Sequence, residues 1–128
     1  MSWVISTSSS ARAGDLILAD GGKSEFRIVI AADASPSTQY AAKELQTFLK
    51  QISAAELPVV TDREAATGHE IVLGVSSHLK SLATSIDLPR LGDEGYVIRS
   101  VGPHLVIAGG ALRGILYGVY GLLEEALP

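Results

Sequence analysis

Apolar residues recur along the chain at two spacings, and the switches between them set an order of elements. Leu16-Ile17-Leu18-Ala19 and Phe26-Arg27-Ile28-Val29-Ile30-Ala31 are dense in β-forming residues, with Asp20-Gly21-Gly22 between them. Glycine tolerates the positive φ of a tight turn, so this pair reads as a β-hairpin. Ser35-Pro36 then opens a helix. The serine hydroxyl suits an orphan backbone N–H, and proline suits the first helical position. Ala41, Leu45, Phe48, Leu49 and Ile52 follow at helical spacing as one apolar stripe, backed by Lys43, Gln46, Lys50 and Gln51. Leu57-Pro58-Val59-Val60 reads as a short strand that its proline places near a sheet edge. Thr61 to His69 reads as loop, and Glu70-Ile71-Val72-Leu73-Gly74 as a buried strand. Ser76 to Ser85 fits a short helix capped near Ser76 or Ser77. Tyr96 to Val101 and His104 to Ala108, separated by Gly102-Pro103, form a second hairpin.

The last element is a helix from about Ala111 to Leu127. Leu112, Ile115, Leu116, Val119, Leu122, Leu123, Ala126 and Leu127 cover roughly half its circumference at about 100° per residue. Gly114, Gly118 and Gly121 form an adjacent stripe without side chains. Each glycine costs a helix interior up to about 1 kcal/mol relative to alanine, so something is expected to pack closely against that stripe. Helices and strands mix without strict βαβ alternation. The fold class is therefore α/β of the α+β type: a mixed sheet with two main helices, mostly on one face.

Composition narrows the function. The chain has 128 residues, 47% of them hydrophobic, enough for one core and too few for two. A net charge of −4 leaves no basic footprint for nucleic acid. No apolar run reaches the roughly 20 residues of a membrane span. Cysteine is absent, which removes disulfides and thiolate metal sites. Met1 to Ser6 lacks the basic start and apolar stretch of a secretory leader. Either the protein is not exported or its leader was removed upstream, in which case a periplasmic or extracellular location follows. The Ser-rich start, including the lone Trp3, reads as part of a flexible lead-in over residues 1–14, ahead of a single domain over 15–128.

Candidate chemistry is sparse. Val106 to Gly114 runs from strand through Gly109-Gly110 into helix, yet its spacing matches neither G-x-G-x-x-G nor the P-loop. A tight turn with close packing is the better reading. His69, His78 and His104 have no metal-ligand spacing and are expected on the surface or in turns. Asp93-Glu94 is an adjacent carboxylate pair, but neighbours in an extended chain point to opposite faces and cannot flank one glycosidic bond. Ser76-Ser77-His78 sets a hydroxyl beside an imidazole without a nucleophile elbow. Arg113, Tyr117 and Glu124 share a polar edge of the last helix, open to a sugar, to an ordinary surface row, or to another domain. No catalytic, metal or cofactor site is assembled from these residues.

Several segments, in order, resemble the N-terminal domain of α-glucuronidases and related uncharacterised bacterial glycosidase-like proteins. These are Tyr40 to Gln46 with Leu57 to Val60, Ile71 to Gly74, and Gly92 to Ile98. The ending carries most of the likeness: Leu105 to Gly110, Arg113 to Tyr120 and Leu122 to Glu124. The corresponding domain of β-N-acetylhexosaminidases is also similar. The resemblance implies zincin-like topology, although no H-E-x-x-H is present, and a catalytic (β/α)₈ barrel that follows directly downstream in the same polypeptide and holds the catalytic carboxylates. It assigns no catalytic residue to this chain. One departure is Ala54, where the family tends to place glycine. A left-handed cap is about 1 kcal/mol less favourable for alanine, so that turn is expected to differ. The resulting expectation is a non-catalytic accessory domain that packs on the barrel. Its candidate interface is Arg113, Gly114, Tyr117, Gly118, Tyr120, Gly121 and Glu124. A free-standing carbohydrate-binding module is the alternative. Polysaccharide is then a possible partner, and the isolated domain is expected to self-associate if its apolar arc stays uncovered.

Overall fold

In the computed structural model, which describes residues 10–13, 16–20, 22–82, 86, 88–92, 94–110 and 113–126, two short strands come first. β1 (Ser10–Ala13) and β2 (Leu16–Asp20) pair antiparallel, with a register shift between Ala11 and Arg12. β3 (Arg27–Ile30) leads into α1 (Pro36–Ser53), β4 (Val59–Thr61), β5 (Glu70–Leu73) and α2 (Ser77–Ser81). A 3₁₀ turn over Leu88–Leu91 precedes β6 (Tyr96–Val101), β7 (His104–Gly109) and α3 (Gly114–Ala126). Strands β3 to β7 form one mixed sheet in the order β4-β3-β5-β7-β6, parallel except for the β6–β7 hairpin.

The period of two along each strand sorts the core into two layers. Ile28, Ile30, Ile71, Leu73, Leu105 and Ile107 meet Ala41, Leu45 and Leu49 of α1 and Val119, Leu122 and Leu123 of α3. Val72 and Val106 point the other way, onto Leu79 of the short α2. The two main helices thus share one face, as the sequence predicts. Each fully buried leucine of this layer contributes roughly 1.5–3 kcal/mol through removal of its surface from water.

End signals were legible. Ser35 lies in extended backbone and its hydroxyl accepts from Thr38 N at 3.2 Å, with Pro36 at the first helical position. Ser76 caps α2 in the same way, accepting from Leu79 N. β4 is the edge strand that Pro58 implied; the proline N–H is missing, while its carbonyl accepts from Ile28 N at 2.8 Å. The β6–β7 hairpin forms in the expected place, with Val101 opposite His104.

Three expectations are corrected. The first hairpin does not form: β2 pairs with β1, whereas β3 is flanked by β4 and β5 in parallel. The connection is drawn away because Gly22 N donates to Ser53 O at the end of α1, and Ser24 Oγ bridges Leu18 O and Phe26 N. β3 is buried on both faces, and its continuous apolar run is the mark of a central parallel strand. Second, β1 lies inside the stretch read as lead-in, so structure begins by Ser10. Third, the turn after α1 keeps its left-handed cap with alanine: Ala54 has φ 64° and donates to Lys50 O at 2.8 Å. The Ser53 hydroxyl steadies it, donating to Leu49 O and accepting from Ala55 N. Trp3, Asp93, residues 83–85, Ala111, Leu112 and Leu127 lie outside the described residues.

Candidate functional site

The glycine stripe of α3 explains itself first. A Cβ on Gly118 would stand 2.6 Å from Ile107 Cγ2, and one on Gly121 would stand 2.5 Å from Tyr96 Oη. Gly114 lies against the backbone of Gly109 and the carbonyl of Gly95. The close approach that three helical glycines call for is therefore supplied by β6 and β7 of the same domain. Gly109-Gly110 has the same role at the other side of the contact, with Gly110 N donating to Gly95 O at 2.8 Å. A tight, closely packed turn is what this segment makes.

The outward face of the helix pair is different. Tyr40, Glu44 and Phe48 stand at four-residue intervals on one row of α1, and Tyr117, Tyr120 and Glu124 on one row of α3. Tyr40 is 53% exposed, Phe48 and Tyr117 are each 37%, and Tyr120 is 36%. The two rows meet at Glu44, whose Oε1 accepts from Tyr120 Oη at 2.9 Å and Tyr40 Oη at 3.2 Å. That hydrogen bond to a carboxylate, with some burial, pushes the Tyr120 hydroxyl up to about 12. Arg113 reaches back to Glu94 at 3.3 Å, an exposed pair. Of the candidate interface residues, Arg113, Tyr117, Tyr120 and Glu124 face solvent, while the three glycines are covered from within. Sequence reasoning missed Tyr40 and Glu44, and it assigned Phe48 to the core. Only the pairing of α1 with α3 brings these residues beside the α3 row. The four-residue repeat Tyr40, Glu44, Phe48 was the available signal.

On the opposite face of the sheet, the expectation of surface histidines fails at His78. Its side chain is 7% exposed, with Nδ1 2.8 Å from Glu70 Oε1 and Nε2 2.7 Å from the Glu64 carbonyl. Glu70 is fully buried and also accepts from Arg27 Nη2 at 3.0 Å and from Thr67 N at 3.1 Å. Burial is the largest influence on Glu70 and opposes its charge, but the bonds from His78, Thr67 N and Arg27 together hold its carboxyl below the ordinary value. Arg27 further binds the Ala65 carbonyl and approaches Glu64 Oε1 at 3.6 Å. Asp62 accepts from Ala32 N and Ser77 N, and these backbone bonds lower its carboxyl as well. The hydroxyls of Ser76-Ser77 are engaged in the cap and with Asp62 O, so they do not form a nucleophile with His78. His69 does lie near the surface, edge-on to Phe26 and 3.7 Å from Glu25. The half-buried His104 keeps a buried Nδ1 with no partner among the described residues.

A cleft of about 660 Å³ opens between the turn at Gly22–Glu25 and the end of α1. Lys23, Glu25 and Glu56 rim it, all exposed, so it lacks the convergent buried polar groups of a small-molecule site. No group of three or more His, Asp or Glu residues is placed to hold a metal among the described residues. No described helix is long and apolar enough to cross a membrane.

These features define a mixed α/β domain with a tightly packed inner helix face and an aromatic, carboxylate-bearing outer one. The chain belongs to the family described as glycosyl hydrolase family 67 N-terminus, whose model matches residues 19–122. Among solved structures it is similar to a family GH115 4-O-methyl-α-glucuronidase with specificity for decorated arabinogalactans. The TM-score is 0.57 at 18% identity, over 80% of this chain and 14% of that one. This chain therefore corresponds to a small part of that neighbour. No curated protein sequence matches it. Both findings agree with the likeness to α-glucuronidase N-terminal domains carried by the sequence motifs.

Proposed function

We propose that this chain is the non-catalytic N-terminal accessory domain of a glycoside hydrolase and docks through its outer helix face onto a catalytic (β/α)₈ barrel of the same polypeptide. The observation that carries this reading is the aromatic face of α1 and α3. Tyr40 and Tyr120 meet at Glu44, Phe48 and Tyr117 are exposed on the same two helix rows, and Tyr96 lies over Gly118 and Gly121. Aromatic side chains concentrated on one side of a small domain mark an interaction surface, and tyrosine suits a contact with a dry centre and a wet rim. The family match supports a larger hydrolase as the context, and zincin-like topology shared with β-N-acetylhexosaminidase domains belongs to the same reading. The test is to iodinate tyrosines in this domain alone and in the parent enzyme. Tyr40 and Tyr117 are expected to react in the first and to be protected in the second, whereas Tyr120, whose hydroxyl is held by Glu44, labels slowly in both. Equal labelling of Tyr40 and Tyr117 in both would remove the barrel contact from this face.

A second reading, a carbohydrate-binding module, draws on the same face. Saccharide platforms need rigid aromatics, and Tyr40 and Tyr120 are held on two helices by one carboxylate. Calorimetry with xylan- and chitin-derived oligosaccharides distinguishes it, since heat that disappears in Tyr40→Ala and Tyr120→Ala favours the module.

A further inference from the structure

The buried polar group over β5 is more than an ion pair, because its histidine is placed between two acceptors. The Glu64 carbonyl facing His78 Nε2 can only accept. Glu70 Oε1, facing Nδ1, belongs to a carboxylate whose other oxygen already accepts from Arg27 and Thr67 N. The carboxyl of Glu70 is held below its ordinary value, so it does not supply a proton of its own. Both contacts are hydrogen bonds only when each ring nitrogen carries a proton.

We propose that His78 is a proton-dependent pin: its doubly protonated ring fastens the loop of residues 62–69 to α2 and β5, and loss of one ring proton loosens that loop. The charged groups around the ring are Glu70 from β5, Arg27 from β3, and Glu64 and Asp62 from the loop. From α2 itself, Ser81 Oγ donates to the His78 carbonyl, and Lys80 is exposed. The other contacts of α2, Leu79 with Val72 and Val106, are apolar. A ring with one proton keeps it on Nδ1, because a bond to a carboxylate is stronger than one to a neutral carbonyl. The bond given up is therefore the one to the Glu64 carbonyl. The Arg27 bond to Ala65 O and the Thr67 bond to Glu70 remain, so the change is local loosening and not unfolding.

The test follows one sample of this chain through a pH titration. Nitrogen-15 NMR reads the His78 ring, and amide exchange reads the protection factor at Glu64, whose N–H donates to Thr61 O at the start of the loop, with Thr67, whose bond to Glu70 stays, as the internal reference. The expected result is a ring with two N–H groups. Its loss of one proton should coincide with a fall in loop protection of about tenfold, the scale of one lost charge-assisted hydrogen bond. His78→Gln, whose amide donor has no proton to lose, should show loop protection that does not change with pH. A ring with a single N–H throughout overturns the proposal, and so does a ring that loses its proton while loop protection stays constant. If His78→Gln does not fold, the titration of the unaltered chain decides by itself.

Discussion

Ala54 holds a left-handed backbone in which alanine is less favourable than glycine by about 1 kcal/mol, yet the turn keeps its cap geometry. Ala54→Gly is therefore expected to stabilise the domain by about 0.5–1 kcal/mol, read as a higher denaturant midpoint at unchanged slope. Tyr120 offers a second check. Its hydroxyl is pushed up to about 12 by Glu44, so it should be the last tyrosine to ionise in an absorbance titration. Glu44→Gln should return it to the usual range near 10. Because the folded value is raised, this contact helps stability at ordinary pH and is lost only as pH climbs through about 12. Glu70 and Asp62 have the opposite sign. Their folded values lie below the ordinary 4.5 and 3.8, so their contribution is complete above those values and disappears as pH falls through the folded ones. Thermal melts from pH 7 to pH 3 should show stability falling below about pH 4.5, less steeply in Glu70→Gln, whose baseline is already reduced.

At the level of elements, α3 is the helix whose sequence most misled and most informed. Its glycines do mark close packing, but the packing partners are Ile107 and Tyr96 of the same sheet. The two positions differ in what gives way. At Gly118 a methyl would meet the buried Ile107, so Gly118→Ala is expected to destabilise by about 1–3 kcal/mol despite the gain in helix propensity. At Gly121 it would meet the hydroxyl end of Tyr96, which is 43% exposed and can swing away. Gly121→Ala should then fall within about 0.5 kcal/mol of neutral, the propensity gain offsetting the displaced ring. Equal losses at both sites, measured by chemical denaturation, would show that Tyr96 is clamped in place. α1 teaches the complementary lesson. Ala41, Leu45 and Leu49 sit in the core as the stripe requires, but Phe48 on the stripe's flank faces out beside Glu44. An apolar residue at the margin of a helical stripe serves either side, and periodicity cannot choose.

For the molecule as a whole, local and long-range information divide cleanly. Elements with their own signals were readable from the chain: the Ser35-Pro36 helix start, the Ser76 cap, the edge strand after Pro58 and the β6–β7 hairpin across Gly102-Pro103. Each rests on residues within a few positions of one another, where spacing and backbone preference act directly. What β3 pairs with was decided elsewhere. Its neighbours β4 and β5 arrive about 30 and 40 residues later in the chain, and no turn signal encodes a parallel partner. The same holds for His78, exposed by its local pattern but buried once α2 folds over Glu70 and Arg27. It holds again for the outer patch, where Tyr40 and Tyr120 meet on Glu44 only because α1 and α3 lie side by side. The sequence by itself determined the helices, their caps, one hairpin and the family likeness, since these depend on short-range spacing and residue type. The tertiary structure alone decided strand order, which polar groups are buried, and which aromatics stay exposed, since those depend on contacts between residues far apart in the chain.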